Sequence, residues 1–532
     1  MGAHASRRDN RSRGPGQRQG RSQQLSREDL ERELERLRRE NEKLREKIHD
    51  QTRRIDDQTR RIDDQARKID EQVAQIEELE RQLAERRRNS TNSSKPPSSD
   101  GLAGDPRPRG RRHKSRRKPG GQPGHPGRHR SLVPADRVDE THLILPERCR
   151  HCGRPLPQDP ENVCTQGDPR RHQVTEVPKI RAEVTEYQCP HVVCACGKTT
   201  QAPLPPEVQG HFGPQLTALV GYLTVVCRQP RRVVEAMLGD VLGIDLSLGS
   251  TQKAWEQVSD AVAQPYQQLQ EQLPREAVLN VDETGWRNNG DKRQIWALVA
   301  KAFAFFTVRE TKGAEVLVAL LGIAFGGILC NDRAAAYLKY HSGPMQFCWA
   351  HLKRTLLGMA ASARSPSARR FCRDTLAIVA RLFRLWHRFR GDLRDRRGGP
   401  LPLDRAQLIA KSLPLQRKLF ALAEAHINHA NREVSNFAAA LFFNFDRLFV
   451  FLEQDGVAPT NNVAERTLRT AVQWRKTSFG NRSAAGELAT ARLLTVMQTC
   501  RMQERHVLGY LTDAVRCHRT GLAPPSLLAQ QS

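Results

Sequence analysis

The chain is short of aromatic residues, of acidic charge and of long apolar runs. Its longest apolar run, 316–330, contains three glycines and does not reach the roughly 18 residues that a membrane span needs. The N-terminus is polar and rich in arginine, without the apolar segment of a secretory signal. We therefore expect neither membrane association nor export, and we expect a cytoplasmic location.

Basic residues outnumber acidic ones by 86 to 59, which gives a formal net charge of +27 and a pI near 10.2. This excess favours a polyanionic partner, and nucleic acid before a membrane surface. A cytoplasmic protein of this kind is expected to associate with the nucleoid. At 532 residues the chain is too long for one compact domain, so several units are expected.

The N-terminal region predicts a tail followed by a coiled coil. Residues 1–25 are polar and rich in Arg, Gln and Gly, which is typical of a disordered tail. A heptad repeat runs over 26–88, with apolar residues on one seam and four Gln in the middle of the other. The first seam carries Leu34, Asn41, Ile48, Ile55, Ile62, Ile69, Ile76 and Leu83. The pattern predicts a homodimer or a higher assembly, and a single solvated helix is the alternative.

A basic, flexible linker is predicted over 89–131, because this segment is rich in Pro, Gly and Ser and cannot bury a core. Its cations are placed to lie along DNA phosphates. The candidate contacts are Arg111, Arg112, Lys114, Arg116, Arg117 and Lys118. A basic arm that only aids solubility is the alternative.

Two cysteine pairs predict a zinc-binding knuckle domain over 132–206. Cys149 and Cys152 form one pair and Cys194 and Cys196 the other, each followed by glycine, with a strand-like stretch over 174–187 between them. Two such pairs suit a tetrahedral structural Zn²⁺. The second pair is irregularly spaced, and Cys189 could take the place of Cys194.

The segment 207–272 predicts a helix-turn-helix-like helical unit. Amphipathic patterns indicate helices over 215–226, 231–242 and 250–262. The third could enter a major groove of DNA, and Lys253 is the only cation on it. The alternative is a plain three-helix packing unit.

Two predicted strands that end on acids indicate a catalytic core. One covers 278–281 and ends on Asp282, with a turn expected at Gly285. After two more strands and a helix, a strand over 327–332 ends on Asp332. This order matches an α/β ribonuclease-H-like core, in which both acids lie on adjacent strands of one sheet. Glu283 points to the other side of the strand, where it would support the turn or Asp282.

A third acid, Glu465, lies in the first turns of a helix for which Asn461 or Asn462 is the expected N-cap. Three carboxylates repel one another, and two divalent ions about 4 Å apart would neutralise them. Cations that follow on this helix suit phosphate binding: Arg466, Arg469, Arg475 and Lys476. We assign 273–500 to the core, with a helical insertion at about 355–457, and 501–532 to a C-terminal tail.

Long motifs in this core carry a family resemblance. VDETGW at 281–286, NDRAAAY at 331–337, FCWAHLKR at 347–354 and TNNVAERTLRTAVQWRKTSFG at 460–480 closely resemble those of insertion sequence 66 transposases. The upstream NSTNSSKPPSSDGL and RKPGGQPGHPG resemble the same family. The tightened second cysteine pair departs from the family pattern and leaves the zinc ligands open.

The resemblance implies a DDE transposase in which Asp282, Asp332 and Glu465 hold two Mg²⁺ (or Mn²⁺) ions. It implies metal-dependent cleavage and strand transfer on double-stranded DNA, at element ends and target, with element-encoded accessory proteins as possible partners. Cys348 and His351 fit a C-x-x-H motif beside the active site, and Asn462 is a further supporting residue. A catalytically silent or domesticated DNA-binding derivative is the alternative, and a nuclease acting on RNA hybrids is a third interpretation.

Overall fold

The computed structural model describes residues 27–87, 131–393 and 402–528, apart from 165, 178, 179 and 207. They belong to two units, 1–88 and 89–532. The predicted tail 1–25 and the six linker cations between 111 and 118 lie outside the described residues. Within the described part of the chain, no helix is long and apolar enough to cross a membrane.

In the first unit, the described residues form one long helix, α1, Arg27–Arg87. Apolar residues of the predicted seam are exposed along it, from Leu34 at 51% to Ile62 at 63%. Ion pairs one turn apart, such as Arg39 to Glu35 at 3.4 Å, add modest support to the helix. An exposed heptad seam leaves an apolar stripe for a second helix, and the coiled-coil pairing itself stays a prediction.

The cysteine-containing region carries little regular structure. Its two short strands, β1 (His191–Val193) and β2 (Thr199–Gln201), form an antiparallel hairpin around the second cysteine pair. The described residues of 174–187 contain no strand, contrary to the sequence prediction. Val174 and Val184 are more than four-fifths exposed there, because no neighbouring strand pairs with this segment.

Four helices follow: α2 (Pro214–Val225), α3 (Arg231–Leu242), α4 (Leu248–Ala261) and α5 (Ala263–Gln272). The first three lie within two residues of the predicted helices. Ser247 caps α4 by accepting a hydrogen bond from the Ser250 N–H, and Gly243 ends α3 with a left-handed φ of 66°. Trp255 on α4 is buried, so this helix packs inward along one side.

A five-stranded mixed sheet forms the centre of an α/β unit. Its strands are β3 (Val278–Asn288), β4 (Asp291–Val299), β5 (Ala304–Arg309), β6 (Ile328–Asn331) and β7 (Met345–Phe347). The order across the sheet is β5-β4-β3-β6-β7. The first three are antiparallel, whereas β6 runs parallel to β3 and β7 parallel to β6. Helices α6 (Ala314–Leu321) and α7 (Ala335–Tyr340) lie in the connections to β6 and β7.

Strand β3 is longer than the sequence predicted, and the turn expected at Gly285 is wrong. The pairing with β4 continues without a break from Asn280 opposite Val299 to Asn288 opposite Asp291. The chain reverses instead at Asn289 and Gly290, whose φ angles are 50° and 91°. Two residues with positive φ form the tight hairpin that favours Asn-Gly. Asp282 therefore lies inside a continuous strand and not at its end.

The described residues after β7, as far as Glu453, are mainly helical. They form α8 (Trp349–Ser362), α9 (Pro366–Phe389), α10 (Arg405–Glu424), α11 (Arg432–Phe443) and the short α12 (Val450–Glu453). Asp404 and Gln407 form a capping box at the start of α10. Phe371 and Phe437 pack edge to face, with ring centroids 6.4 Å apart, and join α9 to α11.

Three helices complete the chain: α13 (Asn462–Ser478), α14 (Ala484–Met502) and α15 (Val507–Thr520). Helix α13 packs on β3 and β4, and α14 packs on the edge strand β5. Thr495 Oγ1 accepts a hydrogen bond from Phe306 N at 2.9 Å, and Thr499 Oγ1 accepts one from Ala304 N at 3.2 Å. These bonds satisfy backbone groups of an edge strand, which protects the edge from pairing with another chain.

The segment 501–532, predicted as a tail, contains the packed helix α15. This helix lies against α2 and α4. The buried guanidinium of Arg519 donates to Phe212 O, Thr217 Oγ1 and Gln257 Oε1 at 2.8–2.9 Å. The helical unit that precedes the sheet is therefore held by the far end of the chain.

Candidate active site

Three acids converge where β3, β6 and α13 meet. Asp282 lies on β3, Asp332 directly follows the neighbouring parallel strand β6, and Glu465 lies in the first turn of α13. Burial first, and then the charges of Asp332, Glu283 and Glu465, raise the pKa of Asp282 to about 8. A carboxyl in such surroundings must carry a proton or meet a cation at neutral pH.

The turn after β6 fixes the position of Asp332. Its Oδ1 accepts a hydrogen bond from Ala334 N at 2.9 Å, and Asn331 Oδ1 accepts one from Arg333 N at 2.8 Å. Arg333 adopts a φ of 75°, which is uncommon for a residue other than glycine. Two consecutive side chains thus hold a strained turn beside the acid.

Asn461 joins the three acid-bearing segments, a role that the sequence did not reveal. Its side-chain Nδ2 donates to Val281 O at 2.7 Å, one residue before Asp282. Its backbone N–H donates to Cys348 Sγ at 3.1 Å, and Cys348 N in turn donates to Asn331 O at 2.9 Å. Asn461 is the residue before α13, but its side chain does not cap the helix. The position of Asn461 just before the helix predicted an N-cap. Only the fold shows that its side-chain amide bonds to a distant strand instead.

Cys348, His351 and Glu465 form a compact group of possible metal ligands. One ligand atom from each lies within 4.8 Å of the others, and no other such group of three occurs among the residues that the structure describes. His351 Nε2 lies 3.4 Å from Glu465 Oε1. Burial lowers the pKa of His351 and raises that of Cys348. The predicted C-x-x-H pair thus lies beside the third acid.

Glu283 lies on the opposite face of β3 from Asp282. It accepts a short hydrogen bond from the Tyr337 hydroxyl. Burial raises the pKa of Glu283, although the bond from Tyr337 opposes the rise. Tyr337 is fully buried and packs edge to face on Trp296 at 6.2 Å. Glu283 therefore anchors α7 to the sheet beneath the acids.

The predicted phosphate-binding residues differ in their exposure. Arg466, Arg469 and Lys476 are exposed on α13. Arg475 is half-buried and donates to Gly285 O, so its guanidinium ties α13 to β3. Asn462, the first residue of α13, is half-buried.

Lys253 is exposed on α4, the helix predicted to enter a major groove. The exposed residues of that helix also include Glu256 and Asp260. Asp260 forms an ion pair with Arg492 at 3.1 Å. Two acids beside one lysine make this face less favourable to DNA than α13 is, and the groove contact stays a prediction.

The two cysteine pairs occupy similar tight turns. Gly153 and Gly197 follow them with φ of 74° and 79°, and both glycine N–H groups bond back to the first cysteine of their pair. Hydrogen bonds from Cys152 lower the pKa of Cys149. Hydrogen bonds from Cys196 likewise lower that of Cys194. The pairs do not meet in one cluster within the described chain, and zinc binding by these pairs or by Cys189 stays a prediction.

The acid site fits a divalent cation on two observations. Burial and then the neighbouring acids raise the pKa of the Asp282 carboxyl, and a bound cation would oppose this rise. Glu465 Oε1 is buried and has no hydrogen-bond partner among the described residues. Carboxylate oxygens are the ligands that Mg²⁺ and Mn²⁺ prefer.

The sequence of the chain matches known protein families and relatives. A family model described as "Transposase IS66 family" matches residues 209–489, just over half of the chain and the part that holds all three acids. A model of a family of unknown function matches 17–131. Two relatives from Sinorhizobium fredii are the uncharacterized proteins y4qI, 26% identical over 224 residues, and y4hP, 23% identical over 421 residues. The matches cover 40% and 71% of this chain, and 39% and 72% of the relatives.

Proposed function

Because the chain belongs to the transposase IS66 family, we propose that it cleaves and joins DNA strands through a metal-dependent DDE reaction. Asp282, Asp332 and Glu465 are the proposed catalytic acids. The observation that carries the proposal is their convergence from three distant stretches of chain. Burial raises the pKa of Asp282 at this point, and the charges of Asp332 and Glu465 add to the rise. The sheet order, with three antiparallel strands beside two parallel ones, supports a ribonuclease-H-like core.

The three acids would hold two Mg²⁺ or Mn²⁺ ions. Their carboxylate oxygens do not all lie within 4.8 Å of one another, which suits ligands spread over two ions better than ligands of one. Bound ions would activate the attacking water or 3′-hydroxyl and stabilise the leaving oxygen. The strained turn at Arg333 and the hydrogen bonds of Asn461 would hold the acids in position for the ions.

DNA is the proposed partner, as element ends and as target. The net charge of +27 favours a phosphate backbone. Arg466, Arg469 and Lys476 are exposed on the helix that carries Glu465, so phosphates bound there would lie along the approach to the acids. The exposed seam of α1 supports assembly of two or more copies.

The test uses a duplex carrying the DNA that flanks the reading frame. Asp282→Asn, Asp332→Asn and Glu465→Gln should each lower Mg²⁺-dependent nicking by more than about a hundredfold, because loss of a direct ligand exceeds the 10–100-fold cost of a supporting partner. Asp291→Asn is the matched control, since Asp291 is exposed at the hairpin end of the same sheet.

Two outcomes would contradict the proposal. Full nicking by Asp282→Asn would remove this acid from the reaction. A wild-type protein that binds its end DNA but neither cleaves nor joins it with Mg²⁺ or Mn²⁺ would instead be a catalytically silent or domesticated DNA-binding derivative.

A further inference from the structure

The group of Cys348, His351 and Glu465 has a spacing that a hydrogen bond does not explain. His351 Nε2 and Glu465 Oε1 lie 3.4 Å apart, yet Glu465 Oε1 has no hydrogen-bond partner among the described residues. Two ligand atoms bound at about 2.1 Å to one tetrahedral ion lie roughly 3.4 Å apart. The separation therefore matches one edge of a tetrahedral metal site.

Burial raises the pKa of the free Cys348 thiol, but two of its neighbours would stabilise a metal-bound thiolate. Cys348 precedes α8 as its N-cap, and its Sγ accepts the Asn461 N–H at 3.1 Å. The positive end of a helix and a backbone donor both stabilise negative charge on sulfur. Thiolate and imidazole are poor ligands for Mg²⁺ and good ones for Zn²⁺. The ligand set thus selects a different ion from the one that the acids would bind.

The site is held in place before any ion binds. Cys348 and His351 lie three residues apart at the start of α8, and the His351 N–H donates to Cys348 O at 3.1 Å. Cys348 N is fixed to Asn331 O at 2.9 Å. His351 Nδ1 is also buried without a partner in the described chain. Three protein ligands and one open position are typical of an accessible Zn²⁺ site.

We propose that Cys348, His351 and Glu465 form a binding site for a borderline transition-metal ion such as Zn²⁺, and that the bound ion withdraws Glu465 from the catalytic acids. Zn²⁺ is then an inhibitor of the Mg²⁺-dependent reaction. The inhibition rests on the proposed function, whereas the binding of the ion does not.

Co²⁺ is the probe, because a thiolate bound to Co²⁺ gives a charge-transfer absorption that carboxylates do not give. The full chain is used with the six cysteines between 149 and 196 changed to serine. We expect this background to bind one Co²⁺ with thiolate absorption, and Zn²⁺ to displace it. Cys348→Ser should abolish the absorption, and Glu465→Gln should weaken Zn²⁺ binding by at least about tenfold.

Two controls isolate the site. Cys372→Ser removes another buried cysteine, on α9, and Asp282→Asn removes an acid outside the ligand set; both should keep the absorption. If the serine background is poorly folded, the difference between wild type and Cys348→Ser in the otherwise unaltered chain must still show the loss of one thiolate. Equal absorption in these two proteins would overturn the proposal.

The inhibition gives a separate result. Zn²⁺ should inhibit Mg²⁺-dependent nicking in the background protein. Failure of Co²⁺ to bind, with nicking still dependent on Asp282, overturns this inference alone. Binding of Co²⁺ through Cys348 without any metal-dependent nicking overturns the proposed function alone.

Discussion

Replacing Asp282 by Asn should stabilise the metal-free protein at alkaline pH. The folded-state pKa of Asp282 is about 8, above its ordinary value of 3.8. Because the folded state holds its proton more tightly, the ionised carboxylate destabilises the fold. The resulting loss of stability begins as the pH rises above about 4 and is complete above about 8. The neutral amide of the Asp282→Asn variant would carry no such charge.

The magnitude follows from the size of the shift. Each pKa unit corresponds to about 1.4 kcal/mol, so a rise from 3.8 to about 8 sets an upper bound of about 6 kcal/mol. Relaxation and water entry reduce such penalties in real proteins, and we expect about 2–3 kcal/mol. For a unit of this size, 89–532, that is a rise in Tm of roughly 2–3 °C.

Thermal unfolding in the presence of a chelator provides the assay. The Tm of Asp282→Asn should exceed that of wild type at about pH 9 and equal it at about pH 4. Mg²⁺ should reduce the difference in Tm at about pH 9, because it should raise the Tm of wild type alone. Asp291→Asn, on the same sheet but exposed, should follow wild type at every pH. A gap that is independent of pH, or an Asp282→Asn protein less stable than wild type at about pH 9, would refute the reasoning.

Other contacts give further predictions. Asn461→Ala should cost about 1–3 kcal/mol of stability and lower nicking, because Val281 O loses its donor. Chemical denaturation measures the loss, and Asn428→Ala, at an exposed position, is the control. Ile55→Asp with Ile62→Asp should give a monomer by light scattering if the exposed seam pairs copies of α1. Lys476→Ala should reduce the salt dependence of DNA binding by about one unit of slope, and an unchanged slope would exclude a phosphate contact.

Local patterns predicted α2, α3 and α4 to within two residues, because the signals of a helix lie within a few residues of it. Gly243 ends α3 and Ser247 caps α4, so the residues that set these helix ends lie next to the helices in the sequence. The predicted end of β3 was wrong, because the length of a strand depends on the strand that pairs with it. Val278 to Val281 forms an obvious apolar run, but β4 continues the pairing as far as Asn288. The three-residue β7 has too little sequence to show a period and was missed.

The candidate site shows the same division between local and distant information. Asp282, Asp332 and Glu465 were predicted because each lies beside a recognisable element, and the structure brings them close enough for their charges to interact. Asn461 was assigned a local cap and instead bonds to Val281, 180 residues away. Arg475 was predicted to bind phosphate, and its guanidinium donates a hydrogen bond to Gly285 O. Such partners depend on the packed fold and leave no periodic signal.

The ionised acids of the proposed active site lower the stability of the metal-free fold. Burial beside two other acids makes ionised Asp282 unfavourable in the metal-free fold. The same repulsion strengthens the binding of divalent cations, because each ion neutralises charges that otherwise oppose one another. Hydrogen bonds from Asn461 and across the turn at Arg333 keep the acids from moving apart. Preorganised repulsion of this kind couples metal binding to the stability of the core, so metal affinity should rise with pH as Asp282 loses its proton.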